Sequence, residues 1–288
     1  MRAPLRAAGW MLLAAGSFVA MGVLAKTLGQ RLHPLEVAFA RAVFGLLTVA
    51  PLVLREGPRL WVTPHWRLHL WRGLLGTTAM ASAFYAVARL PLAEATAYGY
   101  TRPLFLVVLA AWFLGERLGP TRLAATLAGF AGVLVMLRPT VSGLAPGAAV
   151  ALFGAACAAG VGVLLRRIAQ RDRPAVMLAW LGALGTLLLA GPAALVWRAP
   201  TAAELALMGA MGLAGTLTQI AFLRAYRLAE ASALAPLDYV RLPLAVAVGW
   251  ALFGEWPDAA ALLGALVVVG AGLLLVVREN AAAARTSR

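Results

Sequence analysis

Ala93-Glu94-Ala95-Thr96-Ala97 recurs, with one conservative change, as Ala229-Glu230-Ala231-Ser232-Ala233. Each copy opens an apolar run that ends in Gly-Glu, at Gly115-Glu116 and at Gly254-Glu255. A further apolar run then closes on arginine in both places, Gly132 to Arg138 and Gly272 to Arg278. Three marks in one order define an internal repeat, even though the interval between the first two marks differs by three residues between the copies.

Outward from these marks the chain divides into apolar runs at 7–28, 35–54, 70–89, 93–114, 121–138, 145–166, 175–196, 205–223, 229–252 and 258–277. About 20 helical residues cross roughly 30 Å of hydrocarbon, so each run reads as a membrane span. Ten spans leave only short loops and no room for a soluble domain. Composition points the same way. The chain is 62% hydrophobic and 12% charged, where a soluble domain carries roughly 25% charged residues. The basic start, Arg2 and Arg6, resembles a signal peptide, but no small-residue exit precedes Lys26, so 7–28 is expected to stay as a helix.

Cytoplasmic loops carry the excess of Lys and Arg. With the N-terminus inside, most of the 25 basic residues fall on the inner side, and the outer loops hold only Lys26, Arg31, Arg89, Arg138 and Arg198. Both termini are therefore expected in the cytoplasm of a multi-pass inner-membrane protein. The repeat unit is five spans, an odd number, so the second copy enters the bilayer upside down. The expected fold is all-α: ten transmembrane helices in two inverted five-helix repeats, 1–140 and 141–288. Inverted halves are the architecture of many secondary transporters, and alternating access of a small solute is the function they predict.

Other chemistries find little support. The single cysteine, Cys157, rules out an internal disulfide. The histidines His33, His65 and His69 are expected in loops, which leaves an intramembrane hydrolase without its base. Asp172, Asp238 and Asp258 lie far apart in sequence, metal-ligand clusters are missing, and no phosphate-binding glycine loop occurs. No catalytic residue, metal or cofactor is therefore expected. The net charge of +14 is spread as single arginines between apolar runs, a loop pattern rather than a nucleic-acid surface. An intramembrane enzyme and a channel remain the alternatives. The expected partners are a small-molecule substrate and the lipid bilayer, with a homodimer left open.

The repeated Ala-Glu-Ala start, the run from Arg102-Pro103 to Gly115-Glu116-Arg117-Leu118, and the second copy from Pro243 to Gly254-Glu255 resemble the drug/metabolite transporter superfamily, EamA type. The likeness covers nearly the whole chain. It implies a ten-helix bundle with a central cavity built mainly from helices 1–4 and 6–9, and no ATP hydrolysis. Within that superfamily, the stretch from Leu28 through His33-Pro34 to Arg41 is similar to S-adenosylmethionine uptake permeases.

Charge at membrane depth costs at least ~2.5–3.5 kcal/mol on insertion scales, so each buried ionic group needs a partner or a task. Arg41 lies about two turns into the second span, where it either lines the cavity or snorkels to the interface. Arg102 sits mid-span before Pro103. Asp238 and Arg241 share a helix face and read either as a structural ion pair or as a substrate or proton site. Three arginines against one aspartate leave positive charge that an anionic or zwitterionic substrate would balance. S-adenosylmethionine, an amino acid or a related metabolite fits that description. Tyr98 and Tyr100 flank Arg102, and Tyr239 adjoins Asp238; these rings complete the expected substrate-binding set of Arg102, Arg41, Tyr98, Tyr100, Asp238, Tyr239 and Arg241.

Overall fold

A computed structural model describes residues 2–114, 120–137, 145–168, 171–228 and 240–286. Its described residues form α1 (Arg2–Leu28), α2 (Pro34–Glu56), α3 (Trp66–Arg89), α4 (Leu92–Gly99), α5 (Arg102–Leu114), α6 (Pro120–Leu137), α7 (Pro146–Ile168), α8 (Pro174–Leu195), α9 (Ala202–Leu228), α10 (Arg241–Phe253) and α11 (Ala259–Thr286). One 3-10 turn, Gly57–Leu60, follows α2. Five of the helices, α1, α2, α7, α8 and α9, are long and apolar enough to cross a membrane by length and composition. Leu54, Trp112 and Leu195 are each more than four-fifths exposed, a cost in water and none against acyl chains.

Most sequence-derived spans match single helices. The run 93–114 does not: it is broken at Tyr100-Thr101 into α4 and α5. The break has local causes. Pro103, the second residue of α5, has no N–H to give and is accommodated at no cost in a helix's first turn. Upstream, Tyr100 N–H and Thr101 N–H bond the carbonyls of Ala97 and Tyr98, three residues back, while Thr101 Oγ1 donates to Tyr98 O at 2.6 Å. Of the run 229–252, α10 is its second part, and the segment 229–239 lies outside the described residues.

Gly254 ends α10 in the left-handed region, with φ 65°, a conformation that costs a side-chain-bearing residue but not glycine. That turn gives the Gly-Glu mark its role, because it directs Glu255 back across the bundle. Glu255 Oε1 pairs with Lys26 Nζ at 2.5 Å, and Oε2 accepts the Leu92 N–H that opens α4 at 3.0 Å. Lys26 also donates to Leu90 O at 2.7 Å. Helix ends from three parts of the chain are thereby tied together.

The helices pack in a recurring scheme. α1 lies against α9 and α3 against α7; α2 against α9 and α3 against α8; α1 against α10 and α5 against α7. Two more pairs, α2 with α8 and α6 with α11, join corresponding helices of the two halves. Small residues allow the closest approaches, as expected in lipid. A β-carbon on Gly132 of α6 would meet Gly264 O and Val267 Cβ of α11, both at 2.9 Å.

Candidate functional site

At the crossing of α2 and α9 two side chains of α2 lie on glycines of α9. Phe44 covers Gly212, where an added β-carbon would come within 3.2 Å of the Phe44 backbone carbonyl carbon. Arg41 covers Gly215, where an added β-carbon would stand 2.5 Å from the guanidinium carbon, and the same guanidinium folds along its own helix over Gly45. Beside it Thr48 and Thr216 share a hydrogen bond at 2.8 Å, and Thr218 donates to Ser17 of α1 at 3.0 Å. Thr216 and Thr218 thus bridge α9 to α2 and α1. Arg41 is half-buried, and among the described residues no side chain or carbonyl hydrogen-bonds its guanidinium.

The crossing of α8 and α3 repeats this contact. Leu184 covers Gly73, its Cβ 2.9 Å from where a β-carbon would be, and Leu181 covers Gly76 at 3.4 Å. Thr77 stands beside Gly185 here as Thr216 stands near Gly45 across the other crossing. Leucine thus occupies the counterpart of the Arg41 position. An arginine at that place is not needed for packing.

Arg102 and Arg241 each open the second piece of an interrupted span, α5 and α10, and stand 139 residues apart. Arg102 is exposed, with Nη2 beside Gly162 of α7. The Arg241 guanidinium is held between Phe18 and Phe222, 4.5 and 4.6 Å from the ring centroids, an arrangement that offsets much of a cation's cost in lipid. Tyr98 and Tyr100 are buried in a packed cluster with Ala86, Val133, Ala148 and Val268. Asp238 and Tyr239 lie outside the described residues. The structure thus sets Arg41 at one crossing and the two tyrosines in a different packing layer.

Ionic contacts gather at both ends of the bundle. At the predicted outer end, the Arg31 guanidinium grips the Glu204 carboxylate, and Glu36 accepts from the N–H groups of His33 (3.0 Å) and Arg198. His33, expected in a loop, is the N-cap of α2. A cleft of about 330 Å³ opens there, lined by Arg31, His33, Glu36, Arg89 and Arg198 among others. Three of the five basic residues expected outside line it.

At the predicted inner end, Asp172 Oδ2 accepts from Thr63 Oγ1 (2.9 Å) and lies 2.7 Å from His69 Nε2, while His65 Nδ1 lies 3.4 Å from Oδ1. Burial alone would push the Asp172 carboxyl up, but the hydrogen bonds from His69, Thr63 and His65 outweigh it and hold the group below its ordinary value. Arg173 bonds Glu56 at the end of α2, 2.9 Å away. His69 is not in a loop, contrary to the sequence-based expectation. It lies one turn inside α3, 1% exposed, stacked on Trp180 at 5.5 Å. An apolar window running from 70 hid it, because the helix starts four residues earlier.

Apolar helices crossing on glycine, exposed leucine and tryptophan, and ionic contacts at both ends of the bundle define a multi-pass membrane protein. The EamA-like transporter family model matches residues 5–138 and again 145–278, and the chain belongs to that family, within the drug/metabolite transporter superfamily. Its relatives include an S-adenosylmethionine uptake transporter of Rickettsia bellii, 32% identical over 95% of this chain and 94% of the relative. A riboflavin transporter of Rhizobium johnstonii is 32% identical over 94% and 90%, and a pseudopaline exporter of Pseudomonas aeruginosa 30% identical over 91% and 93%. A crystal structure at 22% identity superposes with a TM-score of 0.60, covering 94% of this chain and 96% of its own; it supports the fold.

Proposed function

We propose that this protein is a secondary transporter that carries a small, carboxylate-bearing metabolite across the cytoplasmic membrane by alternating access. Ten passages form two inverted halves, 1–140 and 141–288, with both termini in the cytoplasm. One observation carries the reading: the main helix pairs between the halves recur when the halves are exchanged, down to single contacts. Arg41 on Gly215 and Phe44 on Gly212 become Leu181 on Gly76 and Leu184 on Gly73. Two halves related in this way give inward- and outward-open forms of similar energy. The turns agree, since Arg31–Glu204 joins two turns expected outside and His65–Asp172 two expected inside.

Arg41 is where the exchange fails chemically, and a planar fork suits a carboxylate. Its place on α2 and α9 lies in the part of the bundle where the family likeness puts the cavity. Arg102, Arg241, Tyr98, Tyr100, Asp238 and Tyr239 remain in the proposed set, with Arg102 and Arg241 as a repeat-related pair. S-adenosylmethionine is the first solute to test, since it carries an α-carboxylate and is what the Rickettsia relatives are named for. Purified protein in liposomes loaded with unlabelled S-adenosylmethionine should accumulate the labelled form by exchange, and saturably. Flux without saturation or exchange would favour a channel; exchange of riboflavin alone would overturn the carboxylate assignment.

A further inference from the structure

We propose that His69 and Asp172 form a proton-binding site at the inner mouth, and that the charge on His69 sets how firmly that mouth is shut. The inference rests on the transporter reading, because it treats the end contacts as gates.

Repeat symmetry pairs the two end contacts. The α1–α2 turn grips the start of α9 through Arg31 and Glu204, and the α7–α8 turn grips the start of α3 through Asp172, His65 and His69. Acid and base have changed places between them. They also differ in kind. A guanidinium keeps its proton at any physiological pH, so the outer contact is always ionic. Histidine is the side chain whose charge changes between about pH 5 and 8, so only the inner contact can switch.

The geometry fixes where the proton goes. With one N–H, at Nε2, neutral His69 donates to Asp172 Oδ2 at 2.7 Å. Its Nδ1 is then a bare nitrogen, buried and without a hydrogen-bond partner. A proton arriving at Nδ1 makes the ring a cation and turns a hydrogen bond from a neutral donor to the Asp172 carboxylate into an ion pair, adding direct charge attraction to it. Other groups face the ring. From the same element and its approach come Thr63, His65 and Arg72, the last donating to Met177 O at 2.9 Å. From the α7–α8 turn come Asp172 and Arg173, the latter neutralised by Glu56, and from α8 the face of Trp180. Asp172 is thus the one carboxylate described in contact with the ring. Proton binding tightens the inner mouth, and proton release loosens it.

Two substrate-free measurements test this in lipid nanodiscs. The chain has three histidines, so ring-labelled protein gives few signals. The His69 resonance should move with pH, and in Asp172→Asn the doubly protonated ring should be less populated at a given pH. Spin labels on Arg67→Cys and Arg171→Cys, with Cys157→Ala, should give one short distance at pH 5.5 and an added longer population at pH 8. In His69→Gln, which keeps a donor but gains no proton, the two distributions should coincide. A His69 signal flat with pH, or spin-label distances that ignore pH in the parent or follow it in His69→Gln, overturns the proposal. Exchange transport measured on the same sample would stand or fall separately.

Discussion

The guanidinium of Arg41 occupies the space that a side chain on Gly215 would take, its central carbon 2.5 Å from where a β-carbon would be. One residue of α2 and one of α9 therefore form a single unit, and a change in Gly215 acts directly on the Arg41 guanidinium.

Gly215→Ala should displace the guanidinium and lower exchange transport at least about tenfold, while the protein still folds, since the displaced group is the end of a flexible side chain. Gly76→Ala is the control. Its β-carbon would meet Leu181 at 3.4 Å, an ordinary contact, and transport should change less than about twofold. Equal losses in the two variants would remove Arg41 from the site.

Arg41→Leu copies the residue found in the other half. Removing a half-buried cation relieves a cost of about 2.5–3.5 kcal/mol, so the melting temperature in detergent should hold or rise while carboxylate-dependent exchange is lost. A fall in melting temperature together with full transport would show Arg41 to be structural.

Gly212→Ala makes a different prediction, because its β-carbon would press on the Phe44 backbone, which cannot swing aside. Overpacking of this kind costs about 1–3 kcal/mol. Thermal unfolding should register the loss directly, and Phe44→Ala should not rescue it.

Asp172 gives a pH dependence of defined sign. Its carboxyl is held below its ordinary 3.8 in the folded protein. A group whose folded value is depressed contributes its full stability above the unfolded value and loses it as pH falls through the folded one. The stability that the ionised carboxylate contributes should be lost as pH falls below about 4, so the difference between the parent and Asp172→Asn should shrink there. Melting curves from about pH 5 downward check it; a difference that grows as pH falls below about 4 would reverse the assignment.

Glu255→Gln should leave Lys26 without its counter-charge and weaken the cap on Leu92. Hydrogen bonds to charged groups contribute about 1.5–3 kcal/mol, so a loss in that range is expected. Lys26→Met should recover part of it in the double variant, which a thermodynamic cycle measures.

The helices were largely legible in the sequence because lipid imposes their length: 35–54 and 175–196 became Pro34–Glu56 and Pro174–Leu195. The Gly-Glu mark was visible, yet its meaning was not, since Glu255 acts on Leu92 and Lys26 far away in the chain. Arg41 was picked out by the cost of its charge. That Leu181 is its counterpart could be seen only once Gly215 and Gly76 were in place, because the repeats align through contacts better than through residue identity. His69 was missed for a simpler reason: two histidines and two arginines between residues 65 and 73 lower the local hydropathy below that of a span, although the helix has already begun. Tyr98 and Tyr100, neighbours of Arg102 along the chain, pack into a layer of alanine and valine, a placement that closeness in sequence does not reveal.

Glycine at both crossings, α2 on α9 and α8 on α3, leaves little for neighbouring side chains to interlock. Surfaces without teeth roll where toothed ones must jump. Tilting at these two swivels would proceed by small increments, with the contacts at the two ends acting as latches rather than as hinges. A new cargo would then require changes at a few positions along one swivel, while the machinery of motion stayed as it is.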